Sequence, residues 1–212
     1  MWSKIQRLPL FLLLVSLAVW PINSAAEPLF GYQESVKKNL ELFPQWKSVL
    51  ERHIRDIARR PGCDAGDVKQ CQLKDWLRFL DNIKNMSEMK KIHEVNNYVN
   101  QRKYILDIEN YGIEDYWATP KEFLDINGDC EDFAITKMLS LERLGFDVNK
   151  MRVVVVQDTN LRIPHAVMSI DRGKDVLILD NQIKEVISHK FIYHYTPVYS
   201  INEKNWWMHL PN

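Results

Sequence analysis

Cys130 lies in the stretch NGDCEDFA, a single sulfur among Asp129, Glu131 and Asp132 at the point where an apolar helical pattern begins. Three roles suit a cysteine so placed: nucleophile, metal ligand, or small buried residue. A nucleophilic cysteine acts as the thiolate, and the N–H groups of a helix's first turn favour that anion. The same field suits acidic side chains, so N-capping by Asp129 with an acidic first turn accounts for the carboxylates by itself. Three carboxylates around one thiol, however, oppose thiolate formation by like-charge repulsion. A hard cation removes that conflict, and Ca2+ takes carboxylate and carbonyl oxygens in flexible geometry. Asp129, Glu131 and Asp132 are therefore candidate calcium ligands, although their spacing is not that of an EF-hand loop. Both accounts of the acids stay open on the residues alone.

A cysteine nucleophile needs a histidine within hydrogen-bond reach and a group to hold that histidine's other nitrogen. Six histidines are available. His53 and His93 fall on polar helical stretches that suggest the surface, His209 is close to the last residue, and His189 and His194 lie in or near a late strand. His165 differs because it opens the strand PHAVMSI after Pro164, at a strand end where a side chain can face a cleft. In the hairpin that follows, MSIDRGKDVLIL, a loop of Arg172-Gly173 or of Asp171 to Lys174 brings Asp180 directly across from His165. A carboxylate there orients an imidazole. A bulge or a three-residue loop would bring Asn181 or Leu179 opposite instead, and Asp180 also suits the start of a turn.

The elements that must position these groups follow from periodicity. Apolar residues recur at spacings of three and four from Glu41 to Arg60 and from Leu73 to Tyr104, which predicts a helical N-terminal half. The segment Ile113 to Phe123 is irregular. A helix then starts at Asp129 and ends at Gly145, and Ala134, Ile135, Met138, Leu139 and Leu141 surround it, so it is central and buried. Beyond it MRVVVVQ, HAVMSI, DVLILDN and FIYHYTPVYSI read as strands. The layout is α+β, with helices followed by an antiparallel sheet.

The chain of 212 residues opens with Lys4 and Arg7 ahead of an apolar run from Leu8 to Trp20, then Ser24-Ala25-Ala26. This is the pattern of a cleavable signal peptide over residues 1–26, since a bilayer-spanning helix needs about 20 apolar residues. Its removal takes two basic residues and no acid, leaving 26 basic against 28 acidic residues and a formal charge of −2. Nothing in that balance suits nucleic acid. We divide the remainder into a helical N-terminal lobe, 27–110, and a catalytic core, 111–212. Cys63 and Cys71, in the polar loop PGCDAGDVKQC, are expected to pair in an oxidising compartment, which leaves Cys130 as the odd thiol.

With these residues in place, TPKEFLDINGDCEDFAITKMLSLERLGF, IPHAVM and LILDNQ together resemble the bacterial transglutaminase-like cysteine proteinases of the periplasmic LapG family. The resemblance runs over roughly residues 97–181. It implies a papain/transglutaminase-like core with Cys130 as nucleophile, His165 as general base and then acid, Asp180 as orienter, and Asp129, Glu131 and Asp132 as calcium-binding acids. It further implies a calcium-dependent periplasmic protease that clips a large surface adhesin near its N-terminal anchor and so disperses biofilm. A LapD-like inner-membrane receptor would hold such a protease while cyclic di-GMP is high. The oxyanion is expected to meet the Cys130 N–H and one further donor, with Trp117 as a candidate and a core aromatic as its alternative reading. A transglutaminase or amidase with the same triad, and a calcium-dependent binding module without catalysis, are the competing readings.

Overall fold

The computed structural model describes residues 28–59 and 68–212. The expected signal peptide, 1–26, and Cys63 lie outside the described residues. Within them Cys71 is disulfide-bonded and Cys130 carries a free thiol. No helix among the described residues is long and apolar enough to cross a membrane.

Three amphipathic helices follow the first strand: α1 (Pro44–Ala58), α2 (Val68–Ile83) and α3 (Glu88–Val99). Proline suits the opening turn of α1, where its missing N–H costs nothing. Their apolar stripes converge, with Trp46, Val49, Trp76, Leu80, Ile92, Val95 and Val99 all buried. Two tryptophan N–H groups fasten this layer to the rest: Trp76 Nε1 donates to Ser140 Oγ at 2.9 Å, and Trp46 Nε1 to the Asn202 carbonyl at 3.0 Å. After a short α4 (Asp107–Asn110), α5 (Pro120–Ile126) begins with a capping box, in which Glu122 N–H donates to Thr119 Oγ1 and Thr119 N–H to Glu122 Oε2.

The central helix α6 (Cys130–Arg143) is buried from Glu131 through Leu141, with Phe133, Ala134, Ile135, Met138, Leu139 and Leu141 supplying apolar surface to the elements around it. It stops at Gly145, whose φ of 89° is the left-handed conformation that ends helices. One face of a seven-stranded sheet packs on it. The strands are β1 (Gln33–Lys37), β2 (Met151–Asp158), β3 (Ile163–Asp171), β4 (Val176–Leu179), β5 (Ile187–Ser188), β6 (Tyr195–Ile201) and β7 (Trp206–Leu210). Their order is β1-β7-β6-β2-β3-β4-β5, with every pair antiparallel. Met151, Val153, Met168, Ile170 and Leu179 join the helices in one core, while Val154, Val156, Val167 and Ile178 pack a second cluster on the other face.

The structure departs from the sequence reading at both ends of the chain. Residues 33–37, placed in a helical lobe, form an edge strand on β7, and WWMHL, not read as a strand, is β7 itself. The N-terminal helices share one hydrophobic cluster with α6 and the sheet, so the halves drawn at residue 110 are packed together.

The hairpin register also differs. Asp171 pairs with Val176 and Met168 with Leu179, so the loop is Arg172 to Asp175. Asp171 Oδ1 accepts the Gly173 N–H at 2.6 Å, and Asp175 Oδ1 accepts Val176 N–H and Ser188 Oγ–H. These caps move the turn one residue along and the pairing by two. Continued past Leu179, this register sets Gln182 opposite His165 and Asp180 one diagonal step away. A shift of two keeps every side chain on its own face, so Asp180 still shares a face with His165.

Candidate active site

The loop before α6 is shaped to present Cys130. Asn127 has φ 70° and ψ −171°, a conformation that favours glycine. It is held by its own contacts: Oδ1 accepts the Lys103 N–H at 3.2 Å, and its carbonyl accepts Asn110 Nδ2 at 3.2 Å. At Gly128 a Cβ would stand 2.0 Å from Asp132 Oδ2, so only glycine lets that carboxylate fold back under the loop. Asp132 Oδ2 accepts the Asp129 N–H at 3.3 Å and Oδ1 the Ala118 N–H at 2.7 Å. Asp129 is the N-cap residue and Cys130 the first residue of the helix, as expected.

Cys130 is half-buried, and its thiol donates to Glu131 Oε2 at 3.3 Å. Burial pushes the thiol well above its usual range, and the charges of Glu131 and Asp129 push it the same way, while the Ala166 N–H opposes them by donating to the sulfur. Ala166 follows His165 in β3, so the start of that strand is brought to the start of α6. His165 is 2 % exposed, and its Nε2 lies 2.9 Å from Asp180 Oδ1. Asp180 is clamped: Oδ1 also accepts the Gln182 N–H at 2.9 Å, and Oδ2 accepts the Tyr195 hydroxyl at 2.7 Å. Burial raises the Asp180 carboxyl, but the His165 hydrogen bond and charge, with Gln182 and Tyr195, hold it below the usual carboxylate range. An ionised Asp180 favours the tautomer with the proton on Nε2 and leaves the Nδ1 lone pair to receive a proton. Gln182 Nε2 stands 3.4 Å from that Nδ1.

The acids form a larger group than the sequence suggested. Asp107 and Asp115 join Glu131 in one set, and Asp107 joins Asp129 and Asp132 in another, with one oxygen of each within 4.8 Å of the others. Asp107 and Asp115 escaped notice because each sits far upstream on weakly periodic chain, and only folding brings them to α6. Asp107, Asp129, Glu131 and Asp132 are buried, yet no lysine or arginine pairs with any of them among the described residues. Among the described residues, Asp107 Oδ1 and Asp129 Oδ1 have no hydrogen-bond partner. Burial drives all four carboxyls upward, Asp107 to about 6. Unpaired buried carboxylates with free oxygens fit a hard divalent cation, which wants oxygen donors and repays their desolvation.

Trp117 does not serve as the second oxyanion donor. Its Nε1 donates to Asp115 Oδ1 at 3.0 Å, and its ring packs on Trp46 in the core. Of the remaining histidines, His93 is exposed as read. His53 is half-buried and burial lowers it to about 4, and His209 is buried in β7 with Nε2 3.0 Å from Ser200 Oγ. His53 was expected at the surface. Tyr195, which sequence reasoning did not single out, belongs to the aromatic strand FIYHYTPVYSI, and its ring centre is 5.6 Å from that of His165.

A free thiol at the start of a buried helix, beside a strand whose histidine is bonded to an acid, defines a transglutaminase-like thiol enzyme. The chain belongs to the bacterial transglutaminase-like cysteine proteinases, whose family model matches residues 63–212, and it is a cysteine protease by that membership. Among solved structures it is similar to Legionella pneumophila LapG at 26 % identity and a TM-score of 0.62, over 76 % of this chain and 87 % of that one. The calcium-bound form of LapG matches at 28 % identity and 0.62, over 74 % and 86 %. An EGTA-treated form matches at 26 % and 0.62, over 76 % and 84 %. No curated protein sequence matches this chain.

Proposed function

We propose that the protein is a calcium-dependent cysteine endopeptidase of the periplasm, with Cys130, His165 and Asp180 as its triad. The observation that carries this reading is the Asp180–His165 hydrogen bond of 2.9 Å, with His165 on β3, the strand that packs against the helix opening at Cys130. In the first half-reaction His165 Nδ1 takes the thiol proton as Sγ attacks the scissile carbonyl, and the Cys130 backbone N–H faces the developing oxyanion. The imidazolium returns the proton to the leaving amine, which leaves a thioester on Cys130. Water, deprotonated by His165, then attacks the thioester, and the thiol regains its proton. Asp180 holds the imidazole and balances its charge throughout.

Ca2+, held by Asp107, Asp115, Asp129 and Glu131 with Asp132 beside them, would neutralise the carboxylates that crowd the thiol. The calcium-bound LapG relative supports that choice of ion. The Glu131 carboxylate, now the acceptor of the thiol hydrogen, is the group whose engagement elsewhere would free the thiol for His165.

For substrate, the reading is a large surface adhesin cut near its N-terminal anchor, releasing cells from a biofilm, under control of a LapD-like inner-membrane cyclic di-GMP receptor. The test is incubation of the purified chain, without residues 1–26, with the N-terminal portion of a large exported adhesin from the same genome. A discrete cut made by the wild type, absent in Cys130→Ala and in EGTA, is the expected result. Cross-linking or deamidation without chain cleavage would point to a transglutaminase or amidase, and binding without any covalent change to a sequestering module.

A further inference from the structure

Phe30 lies in the short turn Leu29–Gly31, which packs ahead of β1 on the face of the sheet turned away from α6. Leu29 is buried there with Val154, Val156 and Ile178 and so anchors the turn. Phe30 is half-buried and holds φ 52° and ψ 20°, a left-handed conformation that is a genuine outlier for a bulky side chain. Glycine would take it without strain, so packing alone does not account for an aromatic residue here. The Phe30 N–H donates to His189 Nδ1 at 2.9 Å, and the Asn212 side-chain amide donates to the Gly31 carbonyl, which together hold the turn. So seated, the Phe30 ring meets two others edge-on. The His189 ring centre is 5.9 Å away at 78°, and that of Tyr195 6.1 Å away at 83°, the arrangement that aromatic quadrupoles favour. Tyr195 is the first residue of β6, where it pairs with Asp158 of β2, and its hydroxyl donates to Asp180 Oδ2 at 2.7 Å. A residue at a strand end has ladder support on one side only. A cavity of about 440 Å3 opens beside these rings, lined by Tyr32, His189, Tyr193 and Tyr195 as well as Phe30. Removing the Phe30 ring would therefore give the Tyr195 side chain room to turn.

Building on the triad reading, we propose that Phe30 is a positioning residue for the reaction: its ring, seated edge-on against Tyr195, keeps the Tyr195 hydroxyl on Asp180 and so keeps Asp180 turned to His165. Every link is a contact, from Phe30 to Tyr195, from Tyr195 to Asp180 and from Asp180 to His165. The Tyr195 hydrogen bond favours the ionised carboxylate, so a hydroxyl that wanders lets Asp180 take up a proton at higher pH. The imidazolium that forms as Cys130 gives up its proton then loses its balancing charge, and the thiol reacts more slowly on the acid side. The other groups that face Asp180 are untouched by a change at residue 30: His165 from β3, the Gln182 N–H of its own turn, Asn100 Nδ2 on its carbonyl from the end of α3, and Lys137 of α6, which feels its charge.

The test uses the chain without residues 1–26, as wild type, Phe30→Leu, Phe30→Tyr, Tyr195→Phe and the double variant Phe30→Leu with Tyr195→Phe. Phe30→Met replaces Phe30→Leu should the latter fail to fold by thermal melting. The iodoacetamide rate at Cys130 is followed by mass spectrometry across pH. Phe30→Leu should alkylate about threefold more slowly at about pH 6, part of the roughly tenfold expected when the Tyr195 hydroxyl is lost outright, and the rates should converge at alkaline pH. Phe30→Tyr, which keeps an aromatic edge, should restore the wild-type profile. In the Tyr195→Phe background the change at residue 30 should add nothing, because the link through which it acts is already gone. A folded Phe30→Leu chain with wild-type rates at every pH overturns the proposal, as does one that slows Tyr195→Phe by the same factor as wild type. Failure of the triad reading looks different, because His165→Ala would then leave the wild-type alkylation rate unchanged whatever stands at residue 30.

Discussion

His165 and Asp180 are hydrogen-bonded at 2.9 Å although the ladder does not set them opposite each other. The diagonal step is closed by the clamp on the carboxylate, with the Gln182 N–H on one oxygen and the Tyr195 hydroxyl on the other. Asp180→Asn should therefore keep the fold and lose most turnover, because an amide in that clamp favours the wrong imidazole tautomer. In the serine-protease triad the same exchange costs about 10^4 in kcat. Tyr195→Phe removes one neutral hydrogen bond to a charged group and should cost about tenfold, equivalent to about 1.4 kcal/mol. Steady-state kinetics on both variants checks the pair, and an Asp180→Asn enzyme near wild-type activity would require another orienter.

The free thiol and the bonded Cys71 should separate cleanly under alkylation. Iodoacetamide should label Cys130 in the folded, unreduced chain, and Cys71 only after reduction. Peptide mapping by mass spectrometry reads both sites, and an unlabelled Cys130 in active protein contradicts its role as nucleophile.

Chelation should abolish cleavage, added Ca2+ should restore it, and Mg2+ should substitute poorly because it demands tight octahedral geometry. Ca2+ at a hundredfold excess over Kd should raise stability by about 2.7 kcal/mol if only the native state binds it. Asp107→Asn and Asp115→Asn each remove a carboxylate from the cluster and should weaken binding by about tenfold or more by calorimetric titration. Full activity in EGTA would leave the acids as helix caps alone.

Away from this centre, Glu142 gives a pH signature of its own. Burial, and then the charge of Glu203 and a hydrogen bond to it, raise Glu142 from an ordinary 4.5 to about 7. Between those values the native chain holds a proton that the unfolded chain has released, so stability falls as pH rises through the window. Glu142→Gln should raise the melting temperature at pH 8 and change it little at pH 4, and equal shifts at both would contradict the coupling.

What could be read without the fold was whatever local chemistry decides. The start of α6 follows from Asp129 and the apolar run after it, and β3 from HAVMSI, so Cys130 and His165 were placed by their own neighbours. The hairpin register was not legible, because it turns on whether Asp171 and Asp175 cap the loop, and either choice of turn suits the sequence. Asp107 and Asp115 reach the site through tertiary packing, which no spacing near Cys130 records.

The pairing of Gln33 with Leu210 joins residues 177 positions apart, and it has a consequence for the order of assembly. Closing so long a loop costs more entropy than any contact around the triad, and contacts of high sequence separation form slowly. Cys130, His165, Asp180 and Tyr195, by contrast, all come from one contiguous stretch that builds α6 and the strands β2, β3, β4 and β6. These four side chains can therefore gather while residues 33–37 and 206–210 are still apart, and the strand pair β1–β7 is expected to join the sheet last.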